Sequence, residues 1–241
     1  MLEYSIQVNN LTKKFGDFTS VNNISFDVKK GEIFGLLGAN GAGKTTTIRM
    51  LCGLLIPTSG TMNVAGFDVF TQGKEIRKHI GYMSQRFSLY EDLSVIENLE
   101  LFGTIYKLKR DILRKRILQI IARLQMRKYA GSKVEALPLG QKQKLAFATA
   151  LIHKPEVVFL DEPTSGVDPL VRRDFWNMIY ESASEGVTIV VTTHYMDEAE
   201  YCNRLCFMNN GKVEIVGNPT DLKIKYQVDN MNDVFHKISH A

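Results

Sequence analysis

Glycines at positions 38, 41 and 43, followed by Lys44, Thr45 and Thr46, constrain this chain more than any other stretch. With Ala39, Asn40 and Ala42 between them they complete the pattern G-x-x-x-x-G-K-[ST], whose backbone N–H groups form a nest around a β-phosphate. Glycine allows that path because no side chain crowds it. The positive end of a helix starting near Gly43 adds to the field. Lys44 is placed to bridge the β- and γ-phosphates, the Thr45 hydroxyl to ligate Mg²⁺ and Thr46 to approach the α-phosphate. Such a pattern is informative when a strand precedes it and a helix follows. The apolar run at residues 33–37 and the segment after Gly43 supply both. The alternative is a glycine-rich turn with an incidental lysine.

A chain of 241 residues with 44% hydrophobic content has room for one large domain, or for a core with an inserted subdomain. The formal net charge of +4 is too small to point to nucleic acid. Cys52, Cys202 and Cys206 fit no zinc spacing, so they are expected as small buried hydrophobes in a reducing compartment. The amino terminus lacks a basic segment followed by an apolar one, and no apolar run approaches the roughly 18 residues of a membrane span. A cytoplasmic protein is expected, with any membrane span supplied by another chain.

Period-two alternation in Tyr4, Ile6 and Val8, and in Ile24, Phe26 and Val28, predicts antiparallel strands with one buried face. Between them Phe15 is expected on a loop, where it could stack on a purine or sit at a strand end as core. The phosphate-loop helix is expected to run to about Leu55, before a turn at residues 57–60 and a strand at 61–64 that Gly66 breaks. A further strand at 80–83 ends at Gln85. A buried glutamine there offers a carbonyl oxygen to Mg²⁺ or to an attacking water, against the plainer expectation of an exposed side chain.

From Ser94 the texture turns helical. Ser94 and Glu97 form a capping-box pattern, and Leu113, Ile117, Ile120, Ile121 and Leu124 make an apolar stripe. The basic residues between 107 and 128 are expected as solvated helix faces, with an anionic surface as the sharper alternative. Leu137, Pro138, Leu139, Gly140 and Gln141 open another helix. Residues 157–160 are apolar and end in Asp161 and Glu162, which predicts a buried parallel strand with carboxylates at the edge where ligands of open α/β sheets gather. Asp161 would hold Mg²⁺ through water and Glu162 would polarise the attacking water. Residues 187–193 predict a second such strand, delivering His194 to the same edge as a γ-phosphate sensor. Asn209, Asn210 and Gly211 carry hairpin chemistry. The tail from Asp221 is expected to be helical, with His236 and His240 facing solvent.

In this order the motifs resemble those of the ATP-binding cassette (ABC) ATPases over nearly the whole length. The resemblance implies an α/β fold: a P-loop NTPase-like core of mixed sheet and flanking helices at residues 1–87 and 156–241, carrying an antiparallel β subdomain, with an inserted α-helical subdomain at 88–155. It implies ATP and Mg²⁺ as cofactors, Phe15 as the adenine-stacking aromatic, Gly38 to Thr46 as Walker A, Gln85 as the Q-loop glutamine, Asp161 as the Walker B aspartate and Glu162 as the catalytic glutamate. Ser165, Gly166, Val167 and Asp168 match the D-loop and His194 the switch histidine. It also implies a head-to-tail, nucleotide-dependent homodimer in which Gly140 and Gln141 of one copy face the Walker A loop of the other.

The departure is the signature, Leu137-Pro138-Leu139-Gly140-Gln141 where the family has Leu-Ser-Gly-Gly-Gln. Proline suits a first helical turn, so the helix start and the N–H groups of Gly140 and Gln141 are expected to survive. This variant, with the residues from Thr193 to Cys202, resembles the cassettes of two-component drug or polysaccharide-type exporters. That implies an integral-membrane permease partner, peripheral attachment to the cytoplasmic face of the membrane, and a loop at 87–93 lining the groove for the permease's coupling helix. The alternatives are a soluble clamp on ribosomes or DNA, disfavoured by the single cassette without a heptad run, and a nucleotide-binding regulator without turnover, motivated by Pro138.

Overall fold

In the computed structural model, which describes residues 3–85 and 88–239, the chain builds two sheets and a group of helices. Strands β1 (Tyr4–Phe15) and β2 (Phe18–Lys29) form a long antiparallel hairpin, extended by β4 (Ser59–Val64) and β5 (Phe67–Asp68) into a sheet of order β2-β1-β4-β5. Phe15 therefore ends a strand instead of standing on a loop, paired across a tight turn with Phe18. Gly66 does not end the sheet either: Val64 pairs with Phe67 beyond it.

The second sheet has the order β10-β9-β3-β8-β7-β6. Strands β3 (Ile33–Leu37), β7 (Val157–Asp161) and β8 (Thr188–Thr193) are buried at every position, as strands covered on both faces must be. They run parallel to one another and to β6 (Ile80–Met83) and β9 (Arg204–Asn209); β10 (Lys212–Gly217) closes the edge antiparallel to β9. The hairpin between β9 and β10 turns at Asn210 and Gly211, both with positive φ. Five parallel strands therefore end at one edge, and the loops that follow them leave from it.

Helix α1 (Lys44–Leu51) follows β3, and is shorter than its periodicity suggests because Gly53, with φ of 63°, turns the chain away. A short α2 (Gly73–His79) leads into β6. Helices α3 (Val95–Ile105), α4 (Arg110–Arg123) and α5 (Leu139–Leu151) bury Val95, Leu99, Leu113, Ile117, Ile121, Leu124 and Leu145 against one another. Ser94 and Glu97 make the expected reciprocal capping box at α3. The basic face of α4 is only partly solvated. Arg116 donates to the Ile152 carbonyl at 2.6 Å, and Arg123 pairs with Glu181 on α6 (Pro169–Ser184) and with Glu185 just past its end.

The tail forms α7 (Pro219–Tyr226) and α8 (Met231–Ser239), and it is part of the core: Leu222, Met231 and Val234 pack on Leu37, Leu205 and Phe207. His236 is exposed; His240 and Phe87 lie outside the described residues. All three cysteines are free and buried. Among the described residues no helix is long and apolar enough to cross a membrane.

Candidate functional site

The carboxyl ends of β3, β6, β7 and β8 converge on a cavity of about 460 Å³ lined by Phe18, Ser20, Asn40, Gly41, Gly43, Lys44, Thr45, Thr46, Gln85 and Glu162. Its floor is the glycine-rich loop. Gly38 has φ of 149°, and a Cβ there would lie 2.2 Å from the Met208 carbonyl; Gly43 has φ of 101°, with the Ser20 carbonyl 2.8 Å from a Cβ. No other residue type fits either position without moving backbone. Gly43 also precedes the first residue of α1, so the positive end of that helix opens on the cavity.

Lys44 is almost fully buried. Its Nζ donates to the carbonyls of Gly38 at 2.8 Å and Ala39 at 3.1 Å, and lies 3.8 Å from Glu162 Oε1. Burial lowers its pKa, and the carboxylates of Glu162 and Asp161 oppose that shift. Asp161 is 1% exposed and accepts from Thr192 Oγ1 at 2.7 Å and Thr45 Oγ1 at 3.3 Å. Burial raises its pKa against the pull of those two hydroxyls. The Thr45 hydroxyl and the Asp161 carboxylate thus stand together as hard oxygen donors beside the phosphate cradle, a set that fits Mg²⁺. Among the described residues no group of three or more His, Cys, Asp or Glu side chains forms a metal cluster of its own. A divalent ion here would need phosphate and water oxygens to complete its shell.

Glu162 adopts φ of 49°, a rare backbone state for a side-chain-bearing residue. Its N–H donates to Thr192 Oγ1 at 2.9 Å. Its Oε2 accepts from Gln85 Nε2 at 3.0 Å, and His194 Nδ1 lies 3.3 Å from the same oxygen, a close approach without hydrogen-bond alignment. One carboxylate is thus approached by a lysine, an amide and an imidazole from three different strand ends. Gln85 is exposed, so the expectation of a buried glutamine fails, yet it still reaches Glu162.

Lys44, Thr45, Thr46, Gln85, Asp161, Glu162 and His194 are gathered at this edge. Phe15, about half exposed beneath Lys13, is not among the residues lining the cavity; its hairpin partner Phe18 is. Gly140 and Gln141 lie on the first turn of α5, also apart from the cavity. Pro138 caps that helix, and the Gln141 N–H is engaged by the Pro138 carbonyl at 2.9 Å instead of pointing free. The sequence reading passed over Thr192, which touches both acids. The available signal was a pair of threonines, 192 and 193, ending an otherwise apolar strand.

The match to the family model described as ABC transporter covers residues 21–165. Over 231 residues the chain is 48% identical to the probable multidrug ABC transporter ATP-binding protein YbhF of Escherichia coli, covering 96% of this chain but 40% of that protein. It is 38% identical over 218 residues to the Nod factor export ATP-binding protein I of Ralstonia nicotianae, covering 90% of this chain and 68% of that one. Among solved structures, the ATP-binding subunit of an ABC transporter superposes with a TM-score of 0.88 at 26% identity, covering 97% of this chain and 99% of the other. A dimeric ATP-binding cassette in a post-hydrolysis state with ADP and Pi superposes with a TM-score of 0.79 at 27% identity, covering 88% and 98%. With the family model matching more than half of its length and relatives at 38% and 48% identity, the chain belongs to the ABC transporter family, among its ATP-binding cassettes.

Proposed function

We propose that this cassette energises an exporter: it closes on ATP with a second copy, hydrolyses it, and passes the resulting motion to an integral-membrane permease from the cytoplasmic face. The export assignment draws on the relative named for Nod factor export, beside one named as a probable multidrug transporter protein. Residues 1–87 and 156–241 act as the nucleotide-binding body, with 88–155 as a helical arm that rests on its own apolar cluster.

Within the site, Lys44 and the loop from Gly38 to Thr46, Asn40 included, hold the phosphates, and Phe15 stacks on the adenine, with Phe18 beside it. Thr45 and Asp161 would hold Mg²⁺, with Gln85 at its edge; the ion would neutralise charge developing on the transferred phosphoryl group. Glu162 polarises the attacking water, and His194 senses the γ-phosphate. Gly140 and Gln141 of the second copy complete the site across the dimer. Pro138 removes one hydroxyl donor from that face, a charge-assisted bond worth about 1.5–3 kcal/mol, so closure is weakened and turnover is slow.

The observation that carries this proposal is the convergence of Lys44, Gln85 and His194 on the Glu162 carboxylate. Phosphate release by the full chain with its permease, measured against Glu162→Gln, tests it. Activity above that variant is expected; equal rates would make the proline-bearing signature an inactivating change.

A further inference from the structure

Behind the cavity lies a buried acid that none of the steps above uses. Glu198, with 0% exposure, stands in the turn Met196–Tyr201 just past His194. An ionised carboxylate at such a depth is retained only with partners. Its Oε1 accepts from Thr164 Oγ1 at 2.5 Å and lies 3.5 Å from Arg172 Nε. Thr164 is in the loop leaving Glu162, and Arg172 is in the first turns of α6. The Arg172 guanidinium continues outward over the Tyr195 ring, 4.3 Å from its centroid, and reaches the exposed Asp197 at 3.4 Å. The Tyr195 ring lies 4.1 Å from the His194 ring, and His194 Nδ1 is 3.3 Å from Glu162 Oε2.

With the two-residue run of chain from Glu162 to Thr164, these contacts close a circuit: Glu162, Thr164, Glu198, Arg172, Tyr195, His194 and back to Glu162. We infer that Arg172, Glu198 and Tyr195 are positioning residues that fix the distance between Glu162 and His194, so that the loop bearing the water-polarising carboxylate and the loop bearing the imidazole move as one body. The inference rests on the hydrolytic roles proposed for those two residues.

Three features favour this over simple closure of the fold. The circuit passes through both loops that carry the reacting groups. The planar guanidinium is held by stacking on one side and by a charge on the other, a geometry that lysine cannot reproduce. Arg172 Nε and Glu198 Oε2 are also buried without a protein hydrogen-bond partner, so no protein group outside the circuit fixes those two atoms.

The test measures kcat and KM for ATP in the full chain with its permease, with thermal midpoints alongside, for Glu198→Gln, Arg172→Lys, Tyr195→Leu and Tyr195→Phe. Misplacement of a reacting group by about 1 Å costs up to about 100-fold. Glu198→Gln and Tyr195→Leu are therefore each expected to lower kcat about tenfold while KM stays within about twofold. Tyr195→Phe, which keeps the ring, should restore what Tyr195→Leu loses. Arg172→Lys combined with Glu198→Gln should be no slower than the slower single variant, because one circuit is already open. Since Tyr195 is only half-buried, its variants keep the test valid should the Glu198 change fail to fold. Unchanged kcat in Glu198→Gln and Tyr195→Leu, with Glu162→Gln inactive, overturns the circuit alone. A fall of kcat, rise of KM and drop of midpoint in parallel reduces it to fold closure and also overturns it. Full activity in Glu162→Gln would instead refute the role of Glu162 on which the inference stands.

Discussion

Replacing Thr192 with valine removes a single hydroxyl at nearly constant shape and breaks two bonds to the acidic pair at once. The hydroxyl donates to Asp161 Oδ1 at 2.7 Å and accepts from the Glu162 N–H at 2.9 Å, and Thr192 is fully buried. A bond to a charged group is worth about 1.5–3 kcal/mol, and an orphaned buried N–H costs about 1–3 kcal/mol. Valine recovers a little by its extra apolar surface. The expected destabilisation is about 3 kcal/mol, a large fraction of the roughly 5–15 kcal/mol that holds a typical domain folded.

The loss carries a pH signature. Asp161 already has a raised pKa in the fold, so its ionisation opposes folding, and that cost grows as pH rises from the ordinary aspartate value of 3.8 through the folded value. Losing the Thr192 donor raises the folded pKa further, because only the weaker Thr45 bond, at 3.3 Å, and the Lys44 charge still stabilise the anion. The difference between variant and parent is therefore greatest at neutral and alkaline pH, and shrinks as acid protonates Asp161. The portion due to the Glu162 N–H does not titrate. Urea unfolding of both proteins at pH 8 and at pH 5, without nucleotide, measures this. A loss below about 1 kcal/mol at pH 8 would refute the reasoning.

Gly81→Ala should cost about 1–3 kcal/mol in the same assay, since its Cβ would lie 2.1 Å from the Ala150 carbonyl and force β6 away from α5. His153, stacked 3.5 Å from Tyr106 with Nε2 on the Ile80 carbonyl, has a pKa lowered from 6.5 to about 4, chiefly by burial. The fold excludes its proton, so the parent's stability is complete above pH 6.5 and falls as pH drops towards 4. The drop, discounted for partial exposure, is about 1.5 kcal/mol, and a His153→Gln variant should lack it in a pH series of melts. Tyr90→Ala, at a half-exposed side chain against Phe102, should abolish transport in vesicles while ATP binding by the cassette stays unchanged; unaltered transport would remove this loop from the permease contact.

What could be read from the sequence were interactions that a chain makes with its own neighbours. The glycine loop declares itself because its conformation admits few residue types. Strands β7 and β8 declare themselves because burial on both faces leaves an unbroken apolar run ending in the polar groups the site needs. Ser94 and Glu97 are three residues apart and bond each other. The misjudged features depend on distant partners. Helix α1 stops short at the left-handed Gly53, whose backbone lies against Gly73, and the tail's place in the core is hidden because its apolar residues match β3 and β9, far away along the chain. Glu198 resembles any acid on an exposed turn until Thr164, 34 residues earlier, is seen to bond it.

The same distinction explains why the motif residues alone under-describe the site. Gln85, Asp161, Glu162 and His194 sit where strands end, and a strand end fixes a Cα position but leaves the side chain free to swing. Thr192 fixes Asp161 and the backbone of Glu162, and the contacts through Thr164, Glu198, Arg172 and Tyr195 tie that backbone to His194. A catalytic carboxylate must be held to within about 0.5 Å to act, and that restraint has to come from side chains packed behind it. On the roles proposed for the glycine loop, Glu162 and His194, substitutions at these supporting positions should therefore separate nucleotide affinity from turnover.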